Sequence, residues 1–343
     1  MIKIQKKLIE KSINPNYSMV ESDIRFATNG IFAEYRAKRL KCDVVVDLCC
    51  GVGVQTIAFA KVCKKVIGIE LDPKKVERAR INAKIENLKN VDFIDGDVLN
   101  EDLIEKIRKF HPNIIFCDPE RLSEEEFRSV ETIKPDVNVL VSKYSKITDK
   151  IAIEFPPQIK QIKIYNTNYE KEYVSIYGKL KRLTLYFGSL KKCAVSAVSL
   201  PTGERLEKSD NNVSVSESGI QEYLYEIDGA VIKAGLLNEL ITKYKINKLN
   251  KNNKYLTSER LIQSAFLLSF KVLKITNNNK ETIKELKKLG AGKVILKKHI
   301  DPKYYWKERN KYEKQLLGNN TIYLFEIYEK DIICEKIIQP KNK

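Results

Sequence analysis

The chain has 343 residues, 43% of them hydrophobic and 31% charged, a globular composition that excludes a disordered tail or a bare linker. Its apolar runs all fall short of the roughly 20 residues that a bilayer crossing needs. Sixty-two Lys and Arg against 45 Asp and Glu leave a net charge of +17. That excess points to a polyanionic partner, nucleic acid first, although a composition rich in Lys, Ile and Asn also makes a protein basic.

The length suits two domains. Met1 to Ser12, MIKIQKKLIEKS, is charged and lacks the apolar core of a signal peptide, so a cytoplasmic protein is expected. Residues 1–40 read as helical, with a break around Asn14-Pro15-Asn16 and an amphipathic helix over 31–40. From Cys42 short apolar runs alternate with helical segments. VVVDLCC (44–50), KVIGIEL (65–71), VDFIDGD (91–97), NIIFCDP (113–119) and VNVLVSK (137–143) read as buried strands of a parallel sheet covered on both faces. The runs at 161–167, 172–178 and 182–188 follow without long helices between them and predict an antiparallel ending.

Residues 191–219 read as a connecting segment, most clearly the polar stretch 207–219. After it come helices near 220–247 and 257–270, a short strand KVLKI, a helix ETIKELKKLG, a strand KVILKK, a helix around 301–317 and a strand TIYLFEIYE. The expected organisation is thus an α/β domain over 1–190 with an N-terminal helical extension, and an α+β domain over 220–343.

The strongest local signal is Asp47-Leu48-Cys49-Cys50-Gly51-Val52-Gly53, where a parallel strand meets its helix. Ligands of open α/β sheets bind at that edge, and glycine lets backbone approach them closely. Thr56 stands where a dinucleotide fingerprint has its third glycine, and no Gly-Lys-Ser/Thr follows, so neither a dinucleotide site nor a phosphate loop is indicated. Seventeen residues after Gly53 the second strand ends in Glu70-Leu71-Asp72, the third ends in Asp95-Gly96-Asp97-Val98, and the fourth in Asp118-Pro119-Glu120-Arg121. Successive strands each deliver an acid to the carboxyl edge, where carboxylates can accept bonds from ribose hydroxyls and an adenine amine.

DLCCGVG, IELDP, DGDV and CDPE resemble motifs I to IV of the class I S-adenosylmethionine-dependent methyltransferases, over roughly residues 25–188. The resemblance implies a Rossmann-like seven-stranded sheet and S-adenosylmethionine as cofactor. Asp47, Cys49, Gly51 and Gly53 would surround its methionine part, Glu70 its ribose, and Asp97 with Val98 its adenine; Thr56, Leu71 and Asp118 complete the expected set. RFATNGIFAEYRAKRL (25–40) resembles the helix before the core in the trimethylguanosine-synthase-like branch and would place Thr28 near the cofactor, with plain core packing as the alternative. The C-terminal half is similar, more loosely, to the ferredoxin-like and THUMP-like region of a group of archaeal and bacterial RNA methyltransferases, which implies RNA, tRNA foremost, as partner.

The methylated atom is less legible. Enzymes acting on exocyclic amines carry Asp/Asn-Pro-Pro-aromatic after strand four, whereas Glu120 and Arg121 stand at its last two positions here. Cys117 precedes Asp118 within the strand, which argues against a covalent pyrimidine mechanism. Asp118, Lys143 and Glu172 fall in order near three strand ends and resemble the Lys-Asp-Lys-Glu set of ribose 2′-O-methyltransferases; Arg25, Arg36 or Lys38 would have to replace the first Lys. The catalytic candidates are therefore Asp118, Glu120, Arg121, Lys143 and Glu172, with a lean to ribose methylation. Base N-methylation, a small-molecule or protein substrate, and a non-catalytic RNA-binding module are the rivals. Seven cysteines without a C-x-x-C pair and two histidines predict reduced thiols and no metal requirement. Tyr304-Tyr305-Trp306 reads either as an RNA-stacking cluster or as helix core.

Overall fold

A computed structural model describes residues 2–121, 133–159, 162–164, 168–209, 216–249 and 255–338. Two compact units result: Met1–Ser209 with Gly229–Leu236, and Asp210–Asp228 with Leu237–Lys343.

The first unit opens with helices α1 (Ile2–Glu10), α2 (Glu21–Phe26) and α3 (Gly30–Arg39). Strands and helices then alternate: β1 (Val44–Leu48), α4 (Val54–Ala60), β2 (Lys65–Glu70), α5 (Pro73–Ile85), β3 (Val91–Asp95), α6 (Glu101–Arg108) and β4 (Ile114–Cys117). After β4 come the short strands β5 (Glu120–Arg121) and β6 (Ile133–Lys134), then α7 (Val137–Tyr144) and strands β7 (Ile151–Phe155), β8 (Tyr169–Ile176), β9 (Lys179–Phe187), β10 (Val195–Leu200) and β11 (Glu204–Glu207). Helix α8 (Gly229–Ala234) packs on β8 and β10. Helix starts follow capping chemistry: the side chains of Asn29, Asp72 and Asn100 each accept a backbone N–H of the first turn.

The sheet runs β11-β10-β8-β9-β7-β4-β1-β2-β3, with β3, β2, β1, β4 and β7 mutually parallel and β9 antiparallel between β7 and β8. Two apolar clusters cover the parallel strands, one holding Ile57, Val76, Ala79 and Phe93, the other Ala37, Phe59, Val66 and Phe116. The strand order reverses between β1 and β4, which opens a crevice at their carboxyl ends.

Several expectations need correction. The fifth parallel strand is Ile151–Phe155; residues 137–143 belong to helix α7. Asp136 caps that helix by accepting the N–H groups of Asn138 and Val139, and Val137, Leu140, Val141 and Tyr144 are buried at helical spacing. The sheet has nine strands, not seven, because residues 195–200 and 204–207, expected within a connector, pair onto its β8 edge. Residues 162–164 form no strand, and the rest of 160–167 lies outside the described residues.

The second unit contains β12 (Tyr223–Ile227), α9 (Leu237–Tyr244), β13 (Asn247–Lys248), β14 (Tyr255–Ser258), β15 (Leu267–Thr276), α10 (Asn279–Lys288), β16 (Ala291–Lys297), α11 (Tyr305–Glu313), β17 (Asn320–Ile327) and β18 (Lys330–Lys336). Its seven-stranded sheet runs β13-β14-β12-β15-β18-β17-β16. Residues expected as helix over 257–270 instead end β14 and begin β15, and the expected helix near 220 is β12, which pairs with both of those strands. Leu286 of α10 and Tyr312 of α11 pack with Val294, Ile322 and Ile333 in one core. Among the described residues no helix is long and apolar enough to cross a membrane.

Candidate functional site

Asp47 is the fourth residue of β1 and 1% exposed; its Oδ2 accepts the Thr56 hydroxyl of α4 at 2.6 Å. The chain then turns through left-handed conformations at Cys49 (φ 61°), Gly51 (φ 56°) and Gly53 (φ 85°). The two glycines serve different ends. A Cβ on Gly51 would meet no atom within 4 Å, so this backbone faces open space. A Cβ on Gly53 would lie 3.1 Å from Ala79 and 3.3 Å from Phe93, so Gly53 lets α4 pack closely and does not face a ligand. At the end of β2 Glu70 joins two loops, accepting the N–H of Gly51 at 2.8 Å and that of Asp72 at 3.1 Å. Beyond β3, Asp97 accepts the N–H of Leu99 at 2.9 Å, and the carbonyl of Val98 accepts the Tyr144 hydroxyl at 2.9 Å. Asp118 follows β4 and lies 3.5 Å from the Thr28 hydroxyl, which donates to its Oδ2.

These residues enclose a cavity of about 620 Å³ at the crevice, within the range of small-molecule sites. Thr28, Asp47, Cys49, Gly51, Glu70, Leu71, Asp97, Val98 and Asp118 line it. Thr56 stands behind Asp47 and does not. The sequence reading named Arg25 only as a substitute base and missed Phe26 beside it in α2, and it missed Gln55, Lys75, Lys134 and Arg182, all of which reach the cavity. An amphipathic pattern in a helix as short as α2 gives too little signal to find it.

Burial drives the Asp47 carboxyl up to about 7, helped by the negative charges of Asp118 and Glu70, while the Thr56 hydrogen bond and Arg36 oppose the shift. Arg36 is itself wholly buried, ion-paired with Glu154, bonded to Gln55 at 2.7 Å and stacked on Phe32 and Phe116. Glu154 also holds Arg182 at 2.6 Å, which carries this network to the cavity wall.

Lys143 and Glu172 are not brought to Asp118. Lys143 lies in the last turn of α7, paired with Glu101 of α6. Glu172 is fully buried in β8, where it pairs with Arg39 and Arg205 and accepts the hydroxyls of Tyr35 and Tyr186. Glu120 and Arg121 form a short ladder with Lys134 and Ile133, and their side chains lie outside the described residues. Cys117 is fully buried.

A family model described as RNA cap guanine-N2 methyltransferase matches residues 42–190. A Mycobacterium tuberculosis protein described as an uncharacterized S-adenosylmethionine-dependent methyltransferase is 22% identical over 286 residues, covering 80% of this chain and 76% of that protein. The chain carries a class I S-adenosylmethionine-dependent methyltransferase domain. A Clostridium tetani protein described as an uncharacterized RNA methyltransferase is 44% identical to this chain over 81 residues, which span 24% of this chain and only 17% of that relative. A putative methyltransferase from Porphyromonas gingivalis shares the fold at a TM-score of 0.76 and 20% identity, over 99% of this chain and 89% of its own. The methyltransferase cavity fits its cofactor: Gly51 leaves backbone open to a ligand, and Glu70 and Asp97 present carboxylates from neighbouring strand ends.

Proposed function

We propose that the protein methylates an exocyclic amine of a base in RNA, tRNA being the first RNA to test. The observation that carries this reading is Asp118-Pro119 on the wall of the cofactor cavity, with Phe26 beside it at 48% exposure and Arg25 over its ring at 5.4 Å. Asp-Pro-Glu-Arg lacks the aromatic that clamps a base in enzymes of this chemistry, and Phe26, which lines the same cavity, offers an aromatic face in its place. The two competing chemistries draw less support from the residues expected to carry them: Lys143, the candidate base for ribose methylation, pairs with Glu101 away from the cavity, and Cys117, the thiol beside Asp118, is fully buried. The matching guanine-N2 family model, the RNA methyltransferases among the relatives and the +17 charge support RNA and an amine.

Bound S-adenosylmethionine supplies an electrophilic methyl on a sulfonium. Glu70 would hold the ribose, Asp97 and Val98 the adenine, and Asp47, Cys49 and Gly51 the methionine part. Asp118 accepts the hydrogen bond of the amine, keeps its lone pair aimed at the methyl and takes the surplus proton on its carboxylate. The second unit, THUMP-like in the resemblance above, is the RNA-docking half.

Incubation with tritiated S-adenosylmethionine and unmodified tRNA transcripts, then ribosomal RNA fragments, followed by nucleoside analysis, tests the reading. Label on a purine amine is the expected result. Label on a ribose or on C5 of a pyrimidine overturns the amine, and failure to label any RNA overturns the substrate.

The pH dependence of cofactor binding is a second expectation. The folded Asp47 carboxyl titrates near 7, above its unfolded value of about 4. This group therefore stabilises the fold most when protonated, and that contribution fades as pH rises from about 4 to about 7. A cationic cofactor has the opposite preference and favours the carboxylate. Affinity should tighten about five-fold from pH 6 to pH 7 and level off above it. Isothermal titration across that range checks this, and Asp47→Asn should flatten the profile.

A further inference from the structure

Helix α11 and the residues flanking it, Tyr304 to Leu316, sort their aromatic and apolar side chains onto two sides. Tyr305, Tyr312 and Leu316 pack inward against Leu286, Val294 and Ile322, and the Tyr305 hydroxyl accepts the N–H of Leu296 at 3.3 Å. That stripe satisfies the core. Tyr304 and Trp306 take no part in it: they are 50% and 65% exposed. Each carries a cation over its ring, Lys303 at 4.8 Å from the Tyr304 centroid and Arg309 at 4.9 Å from that of Trp306. Between residues 297 and 314 there are seven Lys and Arg against three acids. Lys307 and Lys314 form no ion pair among the described residues, and the Lys303–Asp301 pair at 3.3 Å is solvent-exposed and weak enough to yield to a phosphate.

We infer that Tyr304 and Trp306, with Lys303, Lys307 and Arg309, form a stacking ledge for unpaired nucleobases of single-stranded RNA. Among the described residues Trp306 meets the core only through an edge-to-face contact with Tyr305 at 5.8 Å, which leaves its ring and that of Tyr304 largely exposed, and every base offers such rings a π-face. Lys303 and Lys307 fit the backbone phosphates that accompany successive stacked bases, while Arg309, held by Glu313 at 2.7 Å, backs the Trp306 ring. A protein or a second copy of the chain would be served by the rings but not by the surplus of positive charge. The inference rests on the RNA reading above, and its test is separable from it.

Trp306 is the only tryptophan of the chain, so its emission reports this surface alone. A single-stranded oligoadenylate added to the full-length protein should quench that emission saturably, and a duplex of equal length should quench it less. Binding of the labelled oligonucleotide, followed by anisotropy, should weaken about ten-fold in Trp306→Ala and in Tyr304→Ala, remain largely intact in Trp306→Phe, and fall with added salt. Cofactor affinity should be unchanged in all three variants, which confirms folding. Unquenched emission at oligonucleotide concentrations that saturate anisotropy overturns the ledge, as does wild-type affinity in Trp306→Ala. A blue shift that grows with protein concentration alone assigns the surface to a second copy and also overturns it. Saturable quenching without RNA methylation keeps the ledge and removes the RNA methyltransferase reading; methylation without quenching does the reverse.

Discussion

Glu154→Leu should lower the unfolding free energy by about 3–5 kcal/mol, read as a shift of the urea midpoint by circular dichroism at unchanged slope. Glu154 is 2% exposed and stands between Arg36, which is fully buried, and Arg182, whose side chain is 22% exposed. Without it Arg182 can turn to solvent, but Arg36 cannot. The Arg36 guanidinium would keep the Gln55 hydrogen bond at 2.7 Å and the faces of Phe32 and Phe116 and would lose its anion. Burial already holds Arg36 down to about 10, with Asp118, Tyr186 and Asp47 partly offsetting it. That value leaves the group charged at neutral pH, so the loss appears as an uncompensated buried charge. Adding Arg36→Leu to Glu154→Leu should recover most of the stability, since an apolar pair of similar volume removes both desolvation penalties. A double variant as unstable as the single one would assign the effect to packing.

This network also marks the limit of what could be read from the sequence. The acids at the ends of β1 to β4 were legible because parallel strands are continuous apolar runs and their ligand edge is always the carboxyl one. Asp47, Glu70, Asp97 and Asp118 meet at one cavity for that reason. Glu172 has the same residue type and a similar place in its strand, yet its partners are Arg39 and Arg205, 133 and 33 positions away, and no local pattern announces them. Lys143 was misplaced through periodicity. VNVLVSKY is rich in β-branched residues, but Asp136 caps it and its buried positions recur at helical spacing. Strands β10 and β11 escaped because Ser and Ala dilute the apolar signal of VSAVSL, which is buried by pairing with β8 and not by its own hydrophobicity.

Asp118→Asn should reduce methyl transfer by about 10²–10⁴-fold, the span typical of a positioned proton acceptor. The change keeps the shape of the side chain and the hydrogen bond from Thr28 at 3.5 Å, so folding and cavity volume should hold. It removes the charge that would accept the amine proton. The loss should fall on kcat, because the interaction is strongest as the amine becomes positively charged. A separate readout distinguishes this from general damage to the site. The Asp118 charge is one of the groups that push the Asp47 carboxyl upward. In Asp118→Asn the pH midpoint of cofactor binding should therefore move to lower pH while binding at pH 8 persists. Slow turnover with that acid shift places Asp118 beside both the cofactor and the reacting nitrogen. Unchanged turnover would remove it from the reaction, and loss of binding at every pH would make it a structural residue of the cavity.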